Sequence, residues 1–174
     1  MKSRFVMIAP LLAALVLGGT AMAATTTTPN TVSVTYDHPE NFSEAIKERS
    51  FAPSRESDTY LKTLRVYMEK RAARILPPGE RLDIVVTDID LAGSFEPWHG
   101  IRMQDVRIIR SIYPPRIDLH FRLLGADGKV LREGTRKLRD PGFLDSGITT
   151  MQNTPLIYEK VMIDRWLRKG PDKL

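Results

Sequence analysis

Arg116 to Leu123 alternates polar and apolar residues without a break. Ile117, Leu119, Phe121 and Leu123 share one parity, and Arg116, Asp118, His120 and Arg122 share the other. A period of two fits a pleated strand with one wet face and excludes a helix, whose apolar stripe recurs every three or four residues. Half-buried strands belong to antiparallel sheets. Asp127-Gly128 follows as a hairpin signal, because a type I′ turn needs positive φ at both central positions. With those two residues as the loop, Arg122 faces Glu133 and Asp118 faces Lys137, two favourable pairs. The same register puts Arg132 and Arg136 on the inner face. A bulged three-residue turn avoids that but sets Arg122 against Arg132, so the first register is preferred.

The other elements arrange themselves around this hairpin. Val32, Val34 and Tyr36 alternate, predicting a strand over 31–36 that ends before Pro39, which has no N–H for a ladder. Phe42 and Ile46 fit one face of a short helix closed by Pro53. Ser57 reads as an N-cap, and Leu61, Leu64, Met68, Ala72 and Ile75 then share one helical face up to Pro77-Pro78-Gly79. Leu82, Ile84 and Val86 predict a strand over 81–88. The apolar parity then flips to Ile89 and Leu91, which calls for a bulge or a strand end near Asp88. Residues 93–100 read as a loop. Val106, Ile108 and Ile112 suggest a further strand, which Pro114-Pro115 confines to an edge. Thr154 reads as the cap of a last helix with Pro155 at its first position, carrying Tyr158, Met162 and Trp166 and ending at Gly170-Pro171. The expected fold class is α+β: a mostly antiparallel four- to five-stranded sheet with two main helices packed on one face.

The start of the chain carries an address. Lys2 and Arg4 precede an apolar run from Phe5 to Leu17, and Ala21-Met22-Ala23 has the small-x-small pattern of a cleavage site. About 13 apolar residues span roughly 20 Å as helix, short of the roughly 30 Å of a hydrocarbon core. The expectation is a signal peptide over 1–23, a flexible linker over 24–30 and a single domain over 31–170. The mature chain would have no membrane span and would lie in the periplasm or outside the cell. The chain has no cysteine, which excludes disulfides, thiolate metal sites, a cysteine nucleophile and a lipidated cysteine. Loss of the leader removes Lys2 and Arg4 and lowers the net charge from +5 to +3, a mild excess that, with export, argues against nucleic acid.

Several segments carry a family resemblance: Tyr36-Asp37-His38-Pro39-Glu40-Asn41-Phe42, Thr87-Asp88-Ile89-Asp90-Leu91-Ala92-Gly93, Pro114-Pro115-Arg116-Ile117, and Tyr158-Glu159-Lys160 with Met162 and Trp166. On these the chain resembles a bacterial envelope family, the domain of unknown function family numbered 3016. The resemblance implies export and one small domain. It brings no assigned activity and no catalytic residue to carry over.

The candidate functional residues concentrate between Asp88 and Arg116. Asp88, Asp90, Glu96, His99 and Asp105 have the atoms a metal needs, and Asp88-x-Asp90 with Gly93 begins like a calcium loop. That loop fails, because its fifth position is Ala92 and its twelfth is His99, where an oxygen ligand and a bidentate Glu are required. The simpler role for Asp88 and Asp90 is to accept backbone N–H bonds in a turn. His120 sits on a polar strand face. No nucleophile elbow, P-loop or dinucleotide-binding glycine pattern occurs. Positions 101–139 hold ten Arg or Lys against four Asp or Glu. Arg102, Arg107, Arg110, Arg116 and Arg122 carry guanidinium groups, which grip phosphate or carboxylate bidentately. The alternative is a solvated sheet face with weak ion pairs. Trp98 and Tyr113 could anchor a partner, whereas Trp166 belongs to the core.

The expected function is that of an exported, non-enzymatic envelope accessory or binding module. Its partner would be an anionic envelope component (lipopolysaccharide or a lipid headgroup) or an envelope protein. The candidate binding residues are Asp88, Asp90, Trp98, His99, Arg110, Tyr113 and Arg116, with no cofactor, metal or catalytic residue assigned. The alternative is a small periplasmic hydrolase or metal-dependent enzyme using Asp88, Asp90 and His99.

Overall fold

A computed structural model describes residues 31–51, 58–145 and 154–174. The expected leader and linker, the helix-closing Pro53, the capping Ser57 and most of the loop before the last helix lie outside these residues. The elements in chain order are β1 (Val32–Tyr36), α1 (Ser43–Phe51), α2 (Asp58–Ala72), β2 (Arg81–Asp90), β3 (Ser94–Phe95), β4 (Arg107–Ile108), β5 (Arg116–Leu124), β6 (Val130–Arg139) and α3 (Ile157–Leu167).

The fold is α+β, but the sheet is mixed. Its order is β1-β2-β5-β6, with β1 parallel to β2 and the other pairs antiparallel. The parallel pair follows from the connection: α1 and α2 lie between β1 and β2, and a helical crossover returns the chain to the end where it began. Val34 thereby pairs with Ile84. The expected 106–112 strand shrinks to β4, which pairs with β3 in a separate two-stranded ribbon. The 93–100 segment therefore contains a strand where a loop was expected, and the main sheet has four strands.

The β5–β6 hairpin combines both turns that the sequence allows. Gly125 N–H donates to the Lys129 carbonyl at 2.9 Å, and Leu124 pairs with Val130, so the loop is the three-residue Ala126-Asp127-Gly128 with Gly128 at φ +77°. A compensating bulge at Leu131 then restores the other register: Leu123 faces Arg132, Arg122 faces Glu133 and Asp118 faces Lys137. The ion pairs form elsewhere, Arg122 with Asp83 on β2 at 3.5 Å and Asp118 with Arg139 at 2.6 Å. Arg132 and Arg136 do point inward. Arg136 covers the Phe121 ring at 4.9 Å, and both arginines donate to the main-chain oxygen of Leu174.

One face of the sheet is covered. Leu82, Ile84 and Val86 of β2 meet Leu123, Phe121 and Leu119 of β5, and Leu64, Met68 and Ala72 of α2 and Met162, Ile163 and Trp166 of α3 complete the core. The parity flip predicted near Asp88 is a bulge between Val86 and Asp88, after which Ile89 returns to the core. Two helix readings need correction. In α1 the buried face is Glu44, Ala45 and Glu48, while Ile46 is 49% exposed. α3 begins at Ile157, because Leu156 adopts a left-handed φ of 57° that no helix starting at Pro155 could contain.

Candidate functional site

β2 carries the chain out of the sheet beside α1 and α3, and Leu91 and Ala92 lie just past its last ladder pair, Asp90 with Arg116. Buried N–H groups must find other acceptors. Two buried glutamates supply them. Leu91 N–H donates to Glu44 Oε2 at 3.1 Å, and Ala92 N–H donates to Glu159 Oε1 at 2.7 Å. Glu44 comes from α1 and is fully buried; Glu159 comes from the first turn of α3 and is 2% exposed. Arg107 of β4 closes the arrangement. It pairs with Glu44 Oε1, donates to the Gly93 carbonyl at 3.1 Å, and lies 4.7 Å over the Phe95 ring. Burial pushes the carboxyl pKa of Glu44 up, opposed by the Arg107 charge and the Leu91 N–H. Burial likewise pushes Glu159 up, opposed by the Ala92 N–H.

Gly93 makes the close approach of the ribbon possible. Its φ is +83°, and a Cβ there would lie 2.6 Å from Ile109 Cδ1 and 2.7 Å from the Ile108 carbonyl oxygen.

The seven candidate residues fall into two groups. Asp88 accepts Ser43 N–H at 2.7 Å and Ser43 Oγ–H at 2.9 Å, so it caps α1 from a neighbouring strand. Asp90 is buried between Lys47 of α1 and Arg116, its cross-strand partner on β5, whose Nε donates at 3.1 Å. The second group surrounds the buried Glu96. Tyr113 donates its hydroxyl to Oε1 at 3.1 Å, and His99 and Arg110 approach Oε2 at 2.7 and 2.9 Å. Trp98 stands beside the His99 ring and is itself 69% exposed. Asp88, Asp90 and His99 thus turn to three different sets of partners. Among the described residues no group of three or more His, Asp or Glu is placed to hold a metal ion.

Sequence reasoning did not single out Glu44, Glu48 or Glu159 as site residues, and it placed Arg107 only in the general basic run. A faint signal existed: Glu44 and Glu48 are four residues apart around Ala45, on one helical face. A cleft of about 390 Å³ opens next to these carboxylates, between Thr59, Tyr60 and Thr63 of α2, Leu156, Tyr158 and Glu159 at the start of α3, and Leu91, Arg107 and Ile109. The same stretch of chain also carries several exposed apolar side chains. Trp98, Met103, Val106, Ile109 and Ile112 are all exposed, with Arg102 and Arg110 among them.

Among the described residues no helix is long and apolar enough to cross a membrane. No curated protein and no solved structure matches the chain. Residues 30–169 match the protein family described as "Protein of unknown function (DUF3016)". That match spans most of the chain, both candidate groups and the buried glutamates, and the chain therefore belongs to this family.

Proposed function

We propose that the protein is an exported, non-enzymatic envelope accessory module that docks on an anionic lipid surface through the lobe between β2 and β5. The leader pattern of the sequence supports export. The observation that carries the docking reading is the concentration of exposed large apolar side chains in one short stretch, Trp98 to Ile112, each separated by only a few residues from a guanidinium. Trp98 and Ile112 are each more than two-thirds exposed. Exposed apolar groups of this size mark interaction sites. A tryptophan with arginines beside it suits the boundary between headgroups and acyl chains, where the ring is half-buried and guanidinium meets phosphate. Arg110 and Arg116 already pair with Glu96 and Asp90, so their first role is to hold the lobe's shape.

The test is co-sedimentation of the mature chain with vesicles of phosphatidylcholine alone and of phosphatidylcholine mixed with phosphatidylglycerol. Binding to the anionic vesicles should blue-shift the emission of Trp98, since the other tryptophan, Trp166, is already in the core. Replacing Trp98→Ala and Ile112→Ser together should weaken it about tenfold or more, from the burial those side chains lose. Absence of binding, or binding indifferent to that double replacement, would sink the reading.

A further inference from the structure

The main sheet ends on β6, which has a neighbouring strand on one side only. β6 is ten residues long, against five for β1 at the opposite end, and seven of its ten residues are exposed. An edge of this length presents main-chain donors and acceptors that a further strand can complete. Bulges and inward charges commonly blunt such edges. β6 has its bulge at the start, at Leu131, and from Arg132 to Arg139 its register with β5 is unbroken. Its inward arginines, Arg132 and Arg136, turn to the main-chain oxygen of Leu174.

The charges decide what kind of strand fits. Arg139 is paired with Asp118 at 2.6 Å, so three of the four β6 cations already have partners. Glu133 and Lys137 are exposed on one face and make no ion pair among the described residues. Their cross-strand neighbours on β5 turn elsewhere, Arg122 to Asp83 at 3.5 Å and Asp118 to Arg139. One acid and one base stand two residues either side of Thr135. That arrangement is complementary to itself. With a second β6 running antiparallel and Thr135 on the two-fold axis, each Glu133 lies opposite the other copy's Lys137, and opposite charges so placed favour the pairing. Moving the axis to Gly134 sets Arg132 against Arg136, and moving it to Arg136 sets that residue against its own copy. A foreign strand of a single charge sign would meet one attraction and one repulsion. The antiparallel sense also carries the exposed Val130 and Leu131 of one copy toward the turn after Arg139 of the other, where Leu144 is exposed.

We infer that the chain forms a two-fold homodimer by antiparallel pairing of β6 with β6 of a second copy, centred on Thr135. The two four-stranded sheets then join into one, with the helices of both copies on the same side. One strand per copy is a small interface, so the association is reversible. It does not rest on membrane docking, and its measurement needs no lipid.

The experiment is sedimentation velocity on the mature chain, diluted from about 100 μM. A monomer–dimer equilibrium should appear with no larger species, because the pairing uses up the β6 edge. Glu133→Lys alone and Lys137→Glu alone should each weaken the dimer about tenfold or more, since both symmetric pairs become repulsive. An equimolar mixture of these two variants should recover it: the introduced lysine faces the introduced glutamate, and the native pair survives across the axis. A variant that failed to fold could not be rescued in this way. In this cysteine-free chain Thr135→Cys should cross-link on mild oxidation, because the two side chains meet at the axis, and Ser33→Cys on the exposed face of β1 should not. A chain that stays monomeric at about 100 μM, or one that forms larger species, overturns the proposal. So do charge reversals without effect, a mixture no better than its components, and cross-linking through Ser33→Cys as readily as through Thr135→Cys.

Discussion

Replacing Arg107→Met removes a cation that is 15% exposed and leaves the fully buried Glu44 with the Leu91 N–H and the weaker influence of the Lys47 charge. Breaking a buried pair by deleting one partner costs about 3–5 kcal/mol, because the surviving charge is stranded. Methionine refills part of the volume over the Phe95 ring and returns some of the lost packing. The lost bond to the Gly93 carbonyl acts in the other direction. The expected loss is about 4 kcal/mol, a large part of the roughly 5–15 kcal/mol that holds an ordinary domain together. Urea unfolding followed by circular dichroism measures it, and in a thermal scan it corresponds to a fall of about 12 °C. The pH dependence supplies the discriminating readout. Without Arg107, Glu44 loses the charge that opposed its upward shift, so the folded chain holds a proton that the unfolded chain releases above the ordinary glutamate range. The variant's deficit should then be small near pH 4.5 and grow as pH rises through the raised Glu44 value. Adding Glu44→Gln should recover at least about half of the loss, because the amide oxygen still accepts the Leu91 N–H. A deficit under about 1 kcal/mol, or one that stays the same across pH and in the Glu44→Gln background, refutes the reasoning.

Three further outcomes follow from the same region. Gly93→Ala should destabilise by about 3 kcal/mol, from the left-handed backbone and from overlap with the Ile108 carbonyl, and amide exchange should show the β3–β4 ribbon loosening first. Asp88→Ala should cost about 1–2 kcal/mol through loss of the α1 cap, read as a lower urea midpoint with an unchanged slope. Glu159→Gln should raise stability at neutral pH by on the order of 1 kcal/mol, since it keeps the acceptor for Ala92 and removes a charge that burial disfavours. The sign follows from the raised carboxyl: its penalty is complete above the folded value and absent below the ordinary one, so wild type and variant should converge as pH falls toward 4.5.

The parts legible in the sequence were those set by local periodicity. The apolar parity of β5, the face of α2 and the slip at Asp88 are each written in neighbouring residues, because a strand or helix repeats its buried position every two or three to four residues. The hairpin register from Leu123 onward was readable from charge pairing, but the extra residue in the turn and its cancellation at Leu131 were not, since both lie in residues with no strong preference. The parallel placement of β1 was missed although a strand-helix-strand order stood in the sequence. The run of four strands read after the first helix outweighed it. The buried glutamates were illegible for a physical reason. Glu44 and Glu159 are inside because the chain leaving β2 lacks acceptors for Leu91 and Ala92, and that shortage exists only once distant segments have met. A pattern rule that places acids outside reverses α1, leading to Ile46 as core and Glu44 as surface. Trp98, His99, Arg110 and Tyr113 entered the sequence reading as separate candidates, and Glu96, around which His99, Arg110 and Tyr113 gather, appeared there only as one of five possible metal ligands.

The parallel seating of β1 has a consequence for how the molecule comes into being. Synthesis delivers the first strand long before the neighbour it zips onto, so Val34 must wait for Ile84. A nascent chain halted after α2 would hold two helices with no floor beneath them and a strand with nothing alongside. Non-local pairing of this kind slows assembly. Resistance to protease should thus arrive abruptly, in fragments that already reach past β5, and shorter ones should be digested as readily as unfolded polypeptide.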